Sequence, residues 1–157
     1  MAKKYWIMKV EPADLSIDQF ALEPVELWDG VRNYQVRNMF RDEMKVGDRA
    51  FFYQSNSKEI GIVGEMEVSK AGIADPLQFD AKSKYYDSKS TPENPRWLAP
   101  TVTFVRKFEQ IVSLTELKSN KLFSELPIVK KGNRLSVVQI SKEHYLNIIK
   151  LSRQKDL

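Results

Sequence analysis

Hydrophobic and polar positions change period several times along this chain of 157 residues, and each change marks an element. YWIMKV (5–10) alternates, with Tyr5, Ile7 and Lys9 on one side and Trp6, Met8 and Val10 on the other. That predicts a first strand, closed by Glu11-Pro12. SIDQF (16–20) opens with Ser16 three residues before Gln19, a capping box that predicts a short helix. Asp29-Gly30 makes a turn. Beyond it Val36, Met39 and Phe40 form an apolar stripe at helical spacing, predicting a helix over 32–43. Gly47-Asp48 leads into a strand over 49–55, and Asn56-Ser57 turns the chain into another over 60–70. Gly61 and Gly64 inside that strand indicate a bulge or a close backbone approach.

A polar stretch over 74–96 holds three of the seven prolines together with Asp75, Asp80 and Asp87. It is long for a structureless loop in a small domain, and such loops are often functional; Tyr85, Tyr86 and Trp97 are expected to pin it to the body. TVTFVRKFEQIV (101–112) alternates as a long strand, and Ser113 with Glu116 forms a second capping box. A turn at 131–133 precedes the strand RLSVVQI (134–140). Ser141 then caps a last helix with Tyr145, Ile148, Ile149 and Ser152 on neighbouring turns. Strands crowd the middle without regular strand–helix alternation, which disfavours a doubly wound sheet. The pattern predicts one α+β domain over 1–157, a curved sheet or small open barrel with helices outside and at its ends.

Composition narrows the chemistry. No apolar run approaches the ~20 residues of a bilayer span, so no membrane is expected. Lys9 and Glu11 interrupt the start and no small-residue cleavage site follows, which argues against a signal peptide and for the cytoplasm, or the nucleus in a eukaryote. Cysteine is absent and histidine occurs once, excluding a disulfide framework, a cysteine nucleophile and a Cys-based zinc site. A histidine-dependent serine triad would rest on His144, read here as lying on the solvated side of the last helix near its start. The formal charge of +4 leans toward a polyanion partner without deciding it. Neither GxGxxG nor GxxxxGK[ST] occurs, and no cofactor is expected.

Trp6, Trp28, Tyr34, Tyr53, Tyr85, Tyr86 and Trp97 each stand beside polar or charged residues. A base taken out of its stack is held by aromatic faces and read at its edge by amide or guanidinium groups. Trp28 beside Arg32 and Asn33, with Tyr53, Ser55 and Asn56 in another segment, supplies those types, although each aromatic taken alone reads as core. Gly30 ahead of a helix start offers unpaired N–H groups for a phosphate, with Arg32 and Arg37 beside it; a solvated helix face is the alternative. Lys9 with Glu11 or Glu65 is the pairing that would make an acid/base couple, against the plainer reading of surface charge.

YWIMKVEP, SIDQF, WDGVRNYQVRN, GDRAFFYQSN, GIVGEMEV, DPLQFD, YYDSKS, NPRW and GNRLSVVQIS, in this order, resemble the recurring stretches of the EVE domain family from about Tyr5 to the last helix. The resemblance implies a PUA-like pseudo-barrel of mixed, mostly antiparallel strands with peripheral helices, related to PUA, ASCH and YTH domains. It implies recognition of modified bases, such as 5-methylcytosine derivatives, in DNA or RNA. It points at Lys9, Trp28, Gly30, Arg32, Asn33, Tyr53, Ser55, Asn56, Trp97, Arg134, Leu135 and Ser136. Three positions depart from the family pattern: Val10 where Ser is usual, Gln54 where His is frequent, and Val138-Gln139 where Met-Pro is common. A hydroxyl is lost at position 10, whereas Gln54 keeps a donor and an acceptor.

The leading expectation is a binding module for modified DNA or RNA. Trp28 and Trp97 stack on or cap the base, Lys9, Asn33, Ser55 and Asn56 meet its edge, and Arg32, Arg37 and Arg134 meet phosphates. Trp28→Ala would then weaken binding by roughly tenfold or more with the fold intact. Two alternatives are an amidohydrolase of modified nucleosides, as in ASCH relatives, with Lys9 as activating amine and Glu65 as acid/base partner, and an interaction protein whose pocket holds a small anion or metabolite.

Overall fold

The computed structural model describes residues 2–155. Its elements are β1 (Tyr5–Val10), α1 (Ile17–Leu22), β2 (Val25–Leu27), α2 (Tyr34–Asp42), β3 (Arg49–Gln54), β4 (Gly61–Ala74), β5 (Leu98–Ser113), α3 (Leu114–Ser119), β6 (Val137–Ile140) and α4 (Lys142–Lys155). Both capping boxes form, at Ser16 and at Ser113. The Ser141 hydroxyl accepts the His144 N–H at 3.0 Å, starting α4. His144 is partly exposed there, 6.1 Å from the Phe123 ring.

The strands form one six-stranded sheet in the order β2-β5-β4-β3-β1-β6. β1 and β3 run parallel; every other pairing is antiparallel. The class is α+β. The parallel pair lies inside the sheet and is buried on both faces, as parallel strands require. Trp6, Met8 and Phe52 pack with Phe20 of α1 and with Val36 and Phe40 of α2. Ile7, Phe51 and Tyr53 pack on the opposite face with Leu117 of α3 and with Tyr145 and Ile148 of α4. Trp6 is therefore core, its indole N–H donating to the buried Asp48 carboxylate at 3.0 Å.

Several boundaries moved. The helix expected from 32 begins at Tyr34, because the Asn33 side chain accepts the Val36 N–H as an N-cap. The strand expected over 134–140 is ladder only from Val137; Asn133 Oδ1 takes the Leu135 N–H instead, holding the chain in a turn. β4 and β5 run longer than expected. They stay paired through several register shifts, and a Cβ on Gly61 would collide with the Val112 carbonyl oxygen. β2 was not expected at all. At three residues it carries no period of its own and exists through pairing with β5.

Candidate functional site

A cleft of about 790 Å3 opens where the parallel pair β1 and β3 leaves the sheet. Its walls come from the end of β1, Ser55 after β3, the chain from β2 to the start of α2, Lys84 with Tyr85, and Arg134 with Ser136 ahead of β6. Backbone bonds fix these stretches together. The Lys9 N–H donates to the Ser136 carbonyl (2.7 Å), Ser55 N–H to Val10 (2.9 Å) and Trp28 N–H to Pro100 (2.9 Å).

Of the residues expected at a site, Lys9, Trp28, Gly30, Arg32, Asn33, Ser55, Arg134 and Ser136 line this cleft. Four do not. Tyr53 is 3% exposed and packs in the core beneath the Lys9 amine, 5.8 Å from the ring centroid. Asn56 sits exposed at φ 47° in the β3–β4 turn, a left-handed conformation that asparagine tolerates. Leu135 packs against both apolar clusters. Trp97 is 6% exposed, stacked on Tyr34 at 4.6 Å, and donates its indole N–H to Asp87 at 2.8 Å, so it supports the wall from behind. Trp28 also differs from expectation: only 7% is exposed, edge-on to Phe52 at 5.9 Å, making it part of the core as well as of the cleft. Removing it leaves a cavity, and Trp28→Ala cannot leave the fold untouched. Of the departures from the family pattern, Val10 lines the cleft, while Gln54 braces the β3–β4 turn through the Glu59 carbonyl at 2.7 Å.

The phosphate contacts expected of Gly30, Arg32 and Arg37 are corrected by the hydrogen bonds. Asp75 is 0% exposed and accepts from the Gly30 N–H (2.8 Å), Arg32 Nη1 (2.9 Å) and the Leu77 N–H (2.8 Å). Arg32 also donates to the Tyr85 carbonyl from Nε (3.1 Å) and Nη2 (2.9 Å), and to Val31 from Nη1 (3.0 Å). A guanidinium has five N–H donors, so one remains. Arg37 is tied to the Arg96 carbonyl at 2.8 Å and lies 4.9 Å from the Tyr34 ring. Lys84 and Arg134 are the lining cations without an ion pair among the described residues besides Lys9.

Burial lowers the pKa of Lys9, disfavouring its ammonium form. Burial also pushes the Tyr53 phenol up to about 12, so it stays neutral. Two lining carboxyls are raised. For Glu26 the causes are burial, then Glu23 and Asp29; for Asp29 they are burial and then Asp75, offset by its own backbone N–H and by Arg32. The cleft is therefore of mixed sign, with acids beside the turn and cations on the facing loops.

Residues 4–151 match the EVE domain family. The chain belongs to that family. Thymocyte nuclear protein 1 of Gallus gallus is 36% identical over 96% of this chain and 69% of its own length. A crystal structure of a Pseudomonas putida protein superposes with a TM-score of 0.90 at 42% identity, covering 94% of this chain and 99% of that one. The crystal structure of human THYN1 in complex with 5-methylcytosine-containing DNA superposes with a TM-score of 0.87 at 34% identity, covering 96% and 98%.

This EVE domain does not form the Lys9–Glu65 couple. Glu65 is buried on β4, where Arg106 Nε donates to it at 2.5 Å and the Tyr145 hydroxyl at 2.6 Å. Lys9 has no carboxylate partner among the described residues. Two residues that shape the cleft escaped the sequence reading as site residues: Asp75 and Tyr85. Both lie in the long 74–96 stretch, whose length was the available signal; their pairing with Gly30 and Arg32 spans more than 40 residues and leaves no local pattern.

Proposed function

We propose that this EVE domain binds a nucleic-acid strand and holds one modified nucleobase in the cleft, with 5-methylcytosine in DNA as the first ligand to test. The observation carrying this reading is that Lys9, Trp28, Asn33, Ser55 and Ser136 meet in one open cleft from stretches far apart in the chain. An apolar indole edge beside amide, hydroxyl and amine groups suits a flat heterocycle with a polar rim. Arg134 and Lys84, which line the cleft, would meet phosphates of the strand. The human relative with 5-methylcytosine DNA supports the ligand class, and its similarity spans 96% of this chain.

The test is equilibrium binding to matched DNA and RNA oligonucleotides, each with and without 5-methylcytosine, across a salt series. Tighter binding to the modified strand is expected, with affinity falling as salt rises. Equal affinity for modified and unmodified strands at every salt concentration rules the reading out. The rival hydrolase reading draws on one observation, the desolvated Lys9 amine in the cleft. Its acid partner is engaged elsewhere. Long incubation with acylated and methylated nucleosides is expected to yield no new species.

A further inference from the structure

Among the described residues two aromatics line the cleft, Trp28 and Tyr85, and they present themselves differently. Trp28 is almost wholly buried. Tyr85 is half-buried, and its hydroxyl makes no hydrogen bond among the described residues, although its backbone is held on both sides. Its N–H donates to Ser83 Oγ at 3.0 Å, and its carbonyl takes two Arg32 N–H bonds. The ring lies over the Gly30 backbone: a Cβ there would stand 3.1 Å from two ring carbons, and φ of +80° disfavours a side chain independently. Lys84 Nζ and Arg32 Cζ lie 5.1 and 5.4 Å from the ring centroid. A fixed ring with a free hydroxyl, open to a cleft, has the form of a contact surface awaiting a partner.

We infer that Tyr85 contacts the bound base, its ring against the heterocycle and its hydroxyl at a polar edge, and that Arg32 and Asp75 are positioning residues acting through it. The inference rests on the base-binding reading and deepens it. The sequence expectation gave Arg32 to a phosphate; the geometry gives it to the Tyr85 carbonyl and to the buried Asp75 carboxylate. The planar fork makes both attachments at once, which a lysine ammonium on a single flexible stem does not reproduce.

The experiment measures binding of a single-5-methylcytosine oligonucleotide to the parent, Tyr85→Ala, Tyr85→Phe, Arg32→Lys and the Arg32→Lys/Tyr85→Ala double variant, each checked for folding by its melting curve. Tyr85→Ala is expected to weaken binding about fivefold or more, the range of base–aromatic stacking. Tyr85→Phe should retain most of that stacking and weaken modified and unmodified strands by a similar, smaller factor, since the methyl group leaves the base's polar edge unchanged. Arg32→Lys should weaken the parent but add nothing to Tyr85→Ala; the charge is kept, so the salt slope stays the parent's, and the loss reads the guanidinium fork and not its charge. Full parental affinity in a folded Tyr85→Ala protein overturns the inference, and so does an Arg32→Lys loss that repeats in the Tyr85→Ala background. Should Arg32→Lys fail to fold, the two Tyr85 variants decide the matter. If the parent itself shows no preference for the modified strand, the base-binding reading fails with it, so the two failures are told apart by the parent's own behaviour.

Discussion

Two carboxylates in this EVE domain are buried against an arginine, and they serve different parts of it. Asp75 holds Arg32 at 2.9 Å beside the cleft and also takes two backbone N–H groups, tying the long 74–96 stretch to the turn ahead of α2. Glu65 holds Arg106 at 2.5 Å and Tyr145 at 2.6 Å, and Arg106 donates to Ser152 at 2.8 Å, so this pair fastens α4 to β4 and β5. The chemistry is the same; the neighbourhoods differ. One pair fixes a wall that a ligand would touch, and the other fixes a helix on the opposite face of the sheet. Burying a charge pair is costly and is a weak source of net stability, but breaking one side of it is destabilising. The comparison teaches that a buried ion pair is informative through what it attaches.

Asp75→Ala should have the largest effect, about 3–5 kcal/mol, because it strands the Arg32 charge and leaves two N–H groups without their acceptor. Urea unfolding measures it. Whatever fraction folds should bind modified DNA weakly. Glu65→Gln should cost less, about 1.5–3 kcal/mol, since the amide oxygen still accepts from Tyr145. Its affinity per folded molecule should equal the parent's, and a matching loss of binding at Glu65 would erase the contrast between the two pairs. Asn33→Ala should cost about 1 kcal/mol through loss of the α2 cap. Asn33→Ser, which keeps a capping oxygen, should restore stability in thermal melts; binding returns with it only if the cap, and not the amide donor, is what the ligand needs.

The smallest effect concerns the acids beside the cleft. Glu26 is raised in the folded protein, so in that window the folded state binds more protons than the unfolded chain and stability falls as pH rises. Its favourable contribution is complete below the ordinary carboxylate pKa and lost above the raised one. Glu26→Gln should accordingly raise the melting temperature at pH 7 more than at pH 4. An equal gain at both pH values would show that Glu26 titrates as an ordinary surface carboxylate.

Period and capping were legible from the residues because both are local. The alternation of YWIMKV and the capping boxes at Ser16 and Ser113 act between near neighbours or along one strand. The site was legible in part. Lys9, Trp28, Asn33, Ser55, Arg134 and Ser136 do line one cleft, whereas Tyr53, Trp97 and Leu135 belong to the packing behind it and Asn56 to a turn. An aromatic beside polar residues looks the same in sequence whether its ring faces solvent or a core. Alternation reveals that successive side chains point to opposite faces; it does not reveal that both faces of β1 and β3 are covered.

What the chain's own order of residues determined was which helices and long strands form and how the helices are capped, since capping side chains, turn dipeptides and a period of two are settled within a few positions. What only tertiary structure decided was which polar groups remain free. Gly30 and Arg32 lose their phosphate role to a carboxylate 45 and 43 residues away, and Tyr85 is held in the cleft by an arginine 53 residues earlier. A buried charge takes whatever partner the fold brings within reach, and that distance exists only after the strands between them have paired.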